Sequence, residues 1–321
     1  IENAKELYGK DLYTTRNYKE LLDRADIDAV IIATTDVWHC RITLDALAKG
    51  KHVYVEKPMV YKIDEGYKVI QAQKNSNKIL QVGSQRVSSL GLAKAKELLA
   101  AGEIGKLNMV NAVYDRQSSI GAWEYTIPKD ASAMSTDWDR FVEATGKMEF
   151  DAKKFFWWSA FKEVGTGVAG DLFIHLLSGT HFVTNSLGPQ TIVSTGQFSH
   201  WKDGRNLPDV MAGTMQYGDT AEHPAFQLTL QVNFISGTGG QEVTRFIGSE
   251  GVMDVKGNNI SIKHSILPEA PGFGGYDSVF TFSKSMQEEM QKEYDAKWTE
   301  SQKKRQLKED ITFKPPTGYN E

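Results

Sequence analysis

The residues best suited to chemistry come directly after two predicted strands. Thr34 and Thr35 follow the apolar run 29–33, and Lys57 follows the run 52–55. Ligands of open α/β sheets bind beyond the carboxyl ends of the strands. The threonine hydroxyls and the amides of their loop could therefore hold ribose or phosphate oxygens at the start of a helix. The Lys57 ammonium could bind a hydroxyl and relay a proton.

A plainer interpretation of this second strand end stays open. Glu56 and Lys57 could form an exposed loop pair, with Pro58 doing no more than ending the strand. In the chemical interpretation Pro58 restricts Lys57 to extended backbone geometry and so directs its side chain.

A second candidate pair, Asp171 and His175, is spaced by four residues in a predicted helix. Because residues i and i+4 share a helix face, both side chains could point at one substrate hydroxyl. His175 would act as the base, Asp171 would orient the substrate or the imidazolium, and Lys57 would polarise the reacting oxygen. Two alternatives remain: Asp171 could stabilise the helix dipole beside a buried histidine, or the pair could share a cation.

The elements that would position these residues change in character along the chain. Up to residue 88, helix and strand patterns alternate, which predicts a doubly wound parallel sheet. The short apolar run 29–33, flanked by helices, predicts a strand buried on both faces. The predicted strands are 28–33, 52–55 and 79–82, and the predicted helices are 18–25, 40–49 and 64–74.

From residue 89 onward the pattern predicts an α+β domain with a mostly antiparallel sheet. The stretch 117–148 is polar and aromatic and long enough to be a lid. A charged surface helix is predicted over 283–308, with an apolar stripe from Met286 to Trp298. The other predicted helices are 90–101 and 171–183, and the predicted strands are 107–114, 191–195, 213–217, 226–234, 242–247 and 252–255.

Composition excludes several classes of protein. The 321 residues carry a net charge of −4 and no basic tract, which argues against nucleic-acid binding. The longest apolar run, 29–33, is far too short to span a bilayer, so no membrane insertion is expected. Cys40 is the single cysteine, which excludes an internal disulfide and a Cys-rich metal site.

Two segments together resemble a known family. Residues 28–34 (DAVIIAT) with His39, and residues 50–58 (GKHVYVEKP), closely resemble the Gfo/Idh/MocA oxidoreductases, the relatives of glucose–fructose oxidoreductase and inositol dehydrogenase. The resemblance continues through VGSQR at 82–86, AGEIG at 101–105 and GVAGDLFIH at 167–175. The run FFWW at 155–158 is similar to the sugar-associated branch of that family.

The resemblance implies a Rossmann domain over residues 1–88 that holds NAD or NADP, followed by a substrate-binding and oligomerisation domain over 89–321 with a large open sheet. It implies hydride transfer between the nicotinamide and a CH–OH or carbonyl carbon of a sugar, polyol or keto-sugar. It also implies a homo-oligomer, and no metal is expected.

The candidate site residues follow from the resemblance together with residue chemistry. The catalytic set is Lys57, Asp171 and His175; the cofactor-binding set is Thr34, Thr35, His39, Glu56, Lys57, Pro58 and Gln85. Arg86 could reach the substrate or a cofactor phosphate. Trp123, Tyr125, Trp157 and Trp158 could stack on sugar rings, although aromatics are also ordinary core residues. Of these, Arg86, Trp157 and Trp158 form the expected substrate-binding set.

The chain departs from the family at its start. The family's first strand and its G-x-G-x-x-G turn should precede residue 28 by about 70 residues. Only 27 residues stand before residue 28. We expect either a fragment of a longer protein or a degenerate relative, and favour the fragment because an interior strand is hard to lose. The C-terminus, at 318–321, also looks short.

Two alternative functions stay open. One is an NAD-dependent glycosidase that oxidises its sugar transiently and then eliminates the leaving group, and the other is a non-catalytic sugar-binding or dimerisation module. The expected compartment is the cytoplasm, with the periplasm possible if an export signal precedes residue 1.

Overall fold

The three-stranded sheet of the N-terminal part is parallel, as the sequence predicts. The structure is a computed structural model that describes residues 2–318, so the ends of both predicted domains, residue 1 and residues 319–321, lie outside the described residues. The strands β1, β2 and β3 pair in chain order. They span Ala29–Ile32, His52–Glu56 and Leu80–Gly83, and the helices α1 to α4 span Glu2–Tyr8, Tyr18–Leu22, Asp36–Ala48 and Ile63–Ser76.

The prediction that β1 is buried on both faces is wrong. Ile32 is buried, but its neighbour Ile31 is 77% exposed. Successive side chains of a strand point to opposite faces, so within residues 2–318 only one face of β1 is covered. The covered face packs against α3, which begins at Asp36 rather than at the expected residue 40.

The second sheet has eight strands, and all its pairings are antiparallel except that of β4 with β7. The strands β4 to β11 span Leu107–Asp115, Thr191–Gln197, Val210–Tyr217, Phe226–Asn233, Gln241–Gly248, Gly251–Lys256, Asn259–His264 and Ile311–Phe313. The sequence patterns did not predict β10 and β11. Helices α5 (Leu90–Ala100) and α8 (Ile174–Thr184) pack on this sheet over the larger hydrophobic core.

The change from the first sheet to the second occurs between Gly83 and Leu107. The predicted boundary at residues 88 and 89 falls in this interval and stays a prediction. No helix within residues 2–318 is long and apolar enough to cross a membrane.

The later part of the segment 117–148 contacts the first domain. It contains helix α6 (Trp138–Val142), and helix α7 (Ala152–Phe156) follows it. The indole of Trp38 on α3 donates to the carbonyl oxygen of Phe141 at 3.0 Å. The segment therefore bridges the two domains, and its role as a lid stays a prediction.

The predicted helix over 283–308 is shorter than expected, because α9 spans Lys284–Lys297. The next turn is closed by local side chains: Thr299 N donates to Gln302 Oε1 at 3.0 Å, and Gln302 N donates to Thr299 Oγ1 at 3.4 Å. Such reciprocal bonds compete with continued helix.

Candidate active site

Lys57 and Asp171 meet where the two domains join. Lys57 follows the carboxyl end of β2, and its ammonium forms an ion pair with Asp171 Oδ1. The same ammonium donates to the Asp171 main-chain oxygen at 3.3 Å. The side chains are 15% and 22% exposed, so the pair is largely shielded but open on one side. Lys57 is thus not a free loop cation.

Asp171 lies in a π-helical turn, Ala169–Phe173, that leads into α8. Single π turns within helices are rare and occur frequently at functional sites. Gly170 allows this turn to approach its neighbours, since a Cβ there would lie 2.0 Å from Thr166 Oγ1 and 3.2 Å from Pro58 Cγ. The wider turn replaces the regular α-helical geometry expected between Asp171 and His175.

A second contact ties the segment just before this turn to the first domain. The buried Asp36 carboxylate accepts hydrogen bonds from the main-chain N–H and the hydroxyl of Thr166, the former at 3.1 Å. Burial raises the pKa of Asp36, and the hydrogen bond from Thr166 opposes this shift. Asp36 therefore links the start of α3 to the segment that precedes Asp171.

His175 is held neutral at physiological pH. Burial lowers its pKa to about 4, with further lowering by Lys57 and Arg86 and an opposing effect of Asp171. Its Nδ1 is buried and has no hydrogen-bond partner among the described residues. The ring is tilted against Tyr114, with centroids 6.5 Å apart. A neutral imidazole has a free lone pair that can accept a proton.

Two residues outside the predicted catalytic, cofactor-binding and substrate-binding sets contact Asp171. The Trp123 indole N–H donates to Asp171 Oδ2 at 3.2 Å, and Arg116 Nη2 lies 4.0 Å from the same oxygen. Trp123 is 2% exposed, so it is not free to stack on a sugar ring. The position of Arg116 just after β4 could have singled it out, but nothing in the sequence pairs Trp123 with Asp171.

The predicted cofactor residues Thr34 and Thr35 line a cavity of about 380 Å³ beyond the end of β1. Thr35 is the N-cap residue of α3, and its buried hydroxyl has no partner among the described residues. The other lining residues include Tyr18, Trp38, Arg16 and Arg140. The aromatic faces and the unpartnered hydroxyl at a helix start fit the ring and ribose groups of a dinucleotide. Both arginines are paired with Asp137, which also lines the cavity.

His39, which belongs to the predicted cofactor-binding set, contacts the main chain of two loops. It is 1% exposed, and its two ring nitrogens lie 2.7 Å from the Pro58 oxygen and 3.1 Å from the Thr34 oxygen. Both nitrogens are thus engaged with the main chain. His39 joins the ends of β1 and β2, and its contact with a cofactor stays a prediction.

The remaining cofactor candidates surround the ends of β2 and β3. Pro58 is buried and is preceded by a cis peptide bond, Glu56 is half-buried at the end of β2, and Gln85 is exposed in the turn after β3. Their positions at the carboxyl ends of parallel strands agree with the general location of ligands in such sheets.

The predicted substrate residues are dispersed around the cluster. Arg86 forms an ion pair with Glu242 of β8, and both line a cavity of about 20 Å³ together with His175. The Trp157 indole donates to the Tyr125 oxygen at 2.6 Å. Trp157 and Trp158 are half-buried against the larger core. Of the three, Arg86 lies nearest to the proposed chemistry.

No group of three or more metal-ligating side chains occurs within residues 2–318. The fold and the site together define a class of protein: a Rossmann-like sheet joined to an α+β domain, with a Lys–Asp–His cluster between them. Residues 2–84 match the sequence model of the family GFO_IDH_MocA, which is described as an oxidoreductase family with an NAD-binding Rossmann fold. Residues 2–84 are thus similar to the Gfo/Idh/MocA family.

Individual proteins are also similar to this chain in sequence or in structure. The inositol 2-dehydrogenase of Salmonella typhimurium is 29% identical over 127 residues, which are 39% of this chain and 37% of that protein. The α-N-acetylgalactosaminidase of Shewanella oneidensis is 39% identical over 70 residues, 22% of this chain and 14% of that protein. A levoglucosan dehydrogenase, solved with NADH and levoglucosan, superposes with a TM-score of 0.61 at 17% identity, over 82% of this chain and 63% of that one.

These matches cover limited parts of the relatives. The chain matches about a third of the length of the inositol dehydrogenase and less than two thirds of the levoglucosan dehydrogenase. At 17% identity the structural similarity shows the two-domain fold.

Proposed function

We propose that the protein is an NAD(P)-dependent oxidoreductase that transfers a hydride between a nicotinamide cofactor and a CH–OH carbon of a sugar or polyol, or the carbonyl carbon of a keto-sugar. The observation that carries the proposal is the meeting of Lys57 with Asp171 at a strand end of the family's Rossmann domain, beside a histidine that stays neutral. The inositol and levoglucosan dehydrogenases among the similar proteins support this substrate class.

The proton would move through this chain's own residues. In the oxidation direction the neutral imidazole of His175 accepts the hydroxyl proton, and the Lys57 ammonium donates a hydrogen bond to the reacting oxygen. Asp171 holds Lys57 in place and stabilises the imidazolium that forms. The nicotinamide, when bound, supplies the acceptor or donor of the hydride.

The cofactor would be held beyond the ends of the three parallel strands. Thr34 and Thr35 offer hydroxyls and the start of α3 to phosphate or ribose oxygens. Glu56, Pro58 and Gln85 would border the cofactor from the ends of β2 and β3. The dinucleotide is NAD or NADP.

The substrate would lie next to the cluster of Lys57, Asp171 and His175. Arg86, Trp157 and Trp158 are the proposed substrate-binding residues, and Arg86 lines a small cavity together with His175. Measuring KM for the variants Arg86→Gln, Trp157→Phe and Trp158→Phe would give the contribution of each side chain to substrate binding.

The assembly and the compartment form part of the same proposal. Ile192 and Val193 on β5 are 58% and 65% exposed, and exposed apolar strand residues favour contact between copies. We expect a homo-oligomer, measurable by light scattering after gel filtration. We expect a cytoplasmic enzyme, with the periplasm as the alternative, and fractionation of cells that produce the natural protein distinguishes the two.

The decisive experiment follows absorbance at 340 nm with NAD⁺ or NADP⁺ and a panel of sugars and polyols. Lys57→Met should lower kcat/KM by about 10²–10⁴-fold, because it removes the group that polarises the reacting oxygen. Lys68→Met is the matched control, since Lys68 forms an exposed pair with Asp64 on α4. Absence of cofactor binding in native mass spectrometry, together with no absorbance change on any substrate, would refute the proposal.

A glycosidase that uses transient oxidation is the second candidate, supported by the 39% identity to the α-N-acetylgalactosaminidase over 70 residues. Such an enzyme would release p-nitrophenol from a p-nitrophenyl glycoside without net change at 340 nm once nitrophenol absorbance is subtracted. A non-catalytic sugar-binding or dimerisation module would do neither, and Lys57→Met would leave it unaffected.

A further inference from the structure

Trp123 has an unusual backbone conformation for a bulky residue. Its φ is +66°, in the left-handed region. Residues other than Gly, Asn and Asp seldom adopt this conformation. The side chain is nevertheless buried. Conformations of this kind persist only where the surroundings enforce them, and they cluster at functional sites.

Two arginines enforce the turn. Arg116 Nη1 donates to the Gly121 oxygen at 2.6 Å, and Arg205 Nη2 donates to the Ala122 oxygen at 3.0 Å. The Arg205 side chain is itself almost fully buried and is paired with Asp203. The two carbonyl groups that immediately precede Trp123 are therefore held in place by side chains from other segments of the second domain.

The orientation of the indole is fixed as well. The ring meets Phe234 edge-on, with centroids 4.8 Å apart and an interplanar angle of 90°. In this position the N–H donates to Asp171 Oδ2, while Lys57 occupies Oδ1. The indole makes the hydrogen bond to Oδ2, and Arg116 lies farther from this oxygen, at 4.0 Å. Bonds to different donors at the two oxygens determine the rotation of the carboxylate about its terminal bond.

We propose that Trp123 is the positioning residue for Asp171: its indole N–H holds Oδ2 so that Oδ1 faces Lys57. The inference rests on the proposed function, in which Lys57 and Asp171 handle the reacting oxygen and the proton. The strained turn and its two arginine contacts serve to aim this one donor.

A first test needs no activity. In protein labelled with ¹⁵N-tryptophan, seven indole N–H signals are expected from the sequence, and Trp123→Phe identifies the one from Trp123. Asp171→Ala should move that signal, because it removes the acceptor. Trp138 is the matched control, since its buried indole donates to the Met148 oxygen at 2.8 Å, and its signal, identified by Trp138→Phe, should stay. An unchanged Trp123 signal in Asp171→Ala would overturn the proposal.

A second test uses the reaction. Trp123→Phe keeps the ring and removes the donor, and should lower kcat about tenfold with KM nearly unchanged. Trp138→Phe should keep the wild-type kcat. In the Asp171→Ala background, Trp123→Phe should have no further effect, because the two residues act together. An equal loss in both backgrounds would show a merely structural role and overturn the proposal.

The two tests separate this inference from the proposed function. If the wild-type protein turns over no substrate with either cofactor, the proposed function fails, and the indole signals still decide whether Trp123 holds Asp171.

Discussion

The two sheets of the protein support their halves of the site in different ways. In the eight-stranded sheet Leu228 and Leu230 are fully buried, in the same core as Leu176 of the helix that carries His175. In the three-stranded sheet Ile31 is largely exposed, next to a buried Ile32. Asp171 and His175 thus come from a helix packed on a thick core, whereas Lys57 comes from a sheet that is covered on one face within residues 2–318.

The position of Lys57 consequently depends on contacts between the domains more than on burial of its own sheet. Asp36 binds Thr166 across the interface, and Lys57 itself binds Asp171. Within the first domain, His39 joins the Thr34 and Pro58 loops. The proposed site is therefore assembled at the interface, and its better-buried half is the one on the larger sheet.

The largest effect on activity is expected for His175, which lies on the second-domain side of the site. His175→Gln should lower kcat/KM by about 10²–10⁴-fold, because it removes the proposed base, while circular dichroism and the unfolding midpoint stay close to those of the wild type. The control is His181→Gln on the same helix, since His181 contacts Tyr217 instead. Retention of full turnover in His175→Gln would remove His175 from the mechanism.

A matched pair of core substitutions measures the difference between the sheets. Leu230→Ala should lower the free energy of unfolding by about 3 kcal/mol, because it leaves a cavity in a close-packed core. Ile31→Ala should change it by less than about 1 kcal/mol, because most of that side chain is already in water. Urea unfolding of both variants tests this, and equal losses would contradict the contrast drawn from burial.

A smaller effect is expected in the dependence of stability on pH. The pKa of His175 is lowered from 6.5 to about 4 by folding, so below pH 6.5 the unfolded chain binds a proton that the folded protein does not. Stability contributed by this group is present above pH 6.5 and is lost as the pH falls towards 4. For a partly exposed ring we expect a loss of about 2 kcal/mol.

Urea unfolding of wild type and His175→Gln at pH 7 and pH 4.5 measures this contribution. The variant should lose less stability on acidification by that amount. Burial also lowers the pKa of His181, but His181 is present in both proteins and cancels in the difference. Identical losses would show that His175 is protonated as readily in the folded protein as in the unfolded chain.

Much of the fold could be predicted from the sequence because its signals are local. Apolar runs of four or five residues marked β1 and β2, and the residues after them, Thr34 and Lys57, were assigned to strand ends from sequence alone. The spacing of Asp171 and His175 likewise placed both on one helix. Where local signals were weak the prediction failed: β10 and β11 were missed, and α9 ends at Lys297 because Thr299 and Gln302 close a separate turn.

The sequence by itself determined which residue types stand at the ends of strands and on the helix of the second domain. Only the tertiary structure decided that Lys57 binds Asp171, which is 114 residues away, and that Trp123 binds the other oxygen of the same carboxylate. It also decided that His39 serves the main chain rather than solvent. The physical reason is that strand and helix patterns depend on near neighbours, whereas the partner of a polar side chain depends on which distant segments pack together.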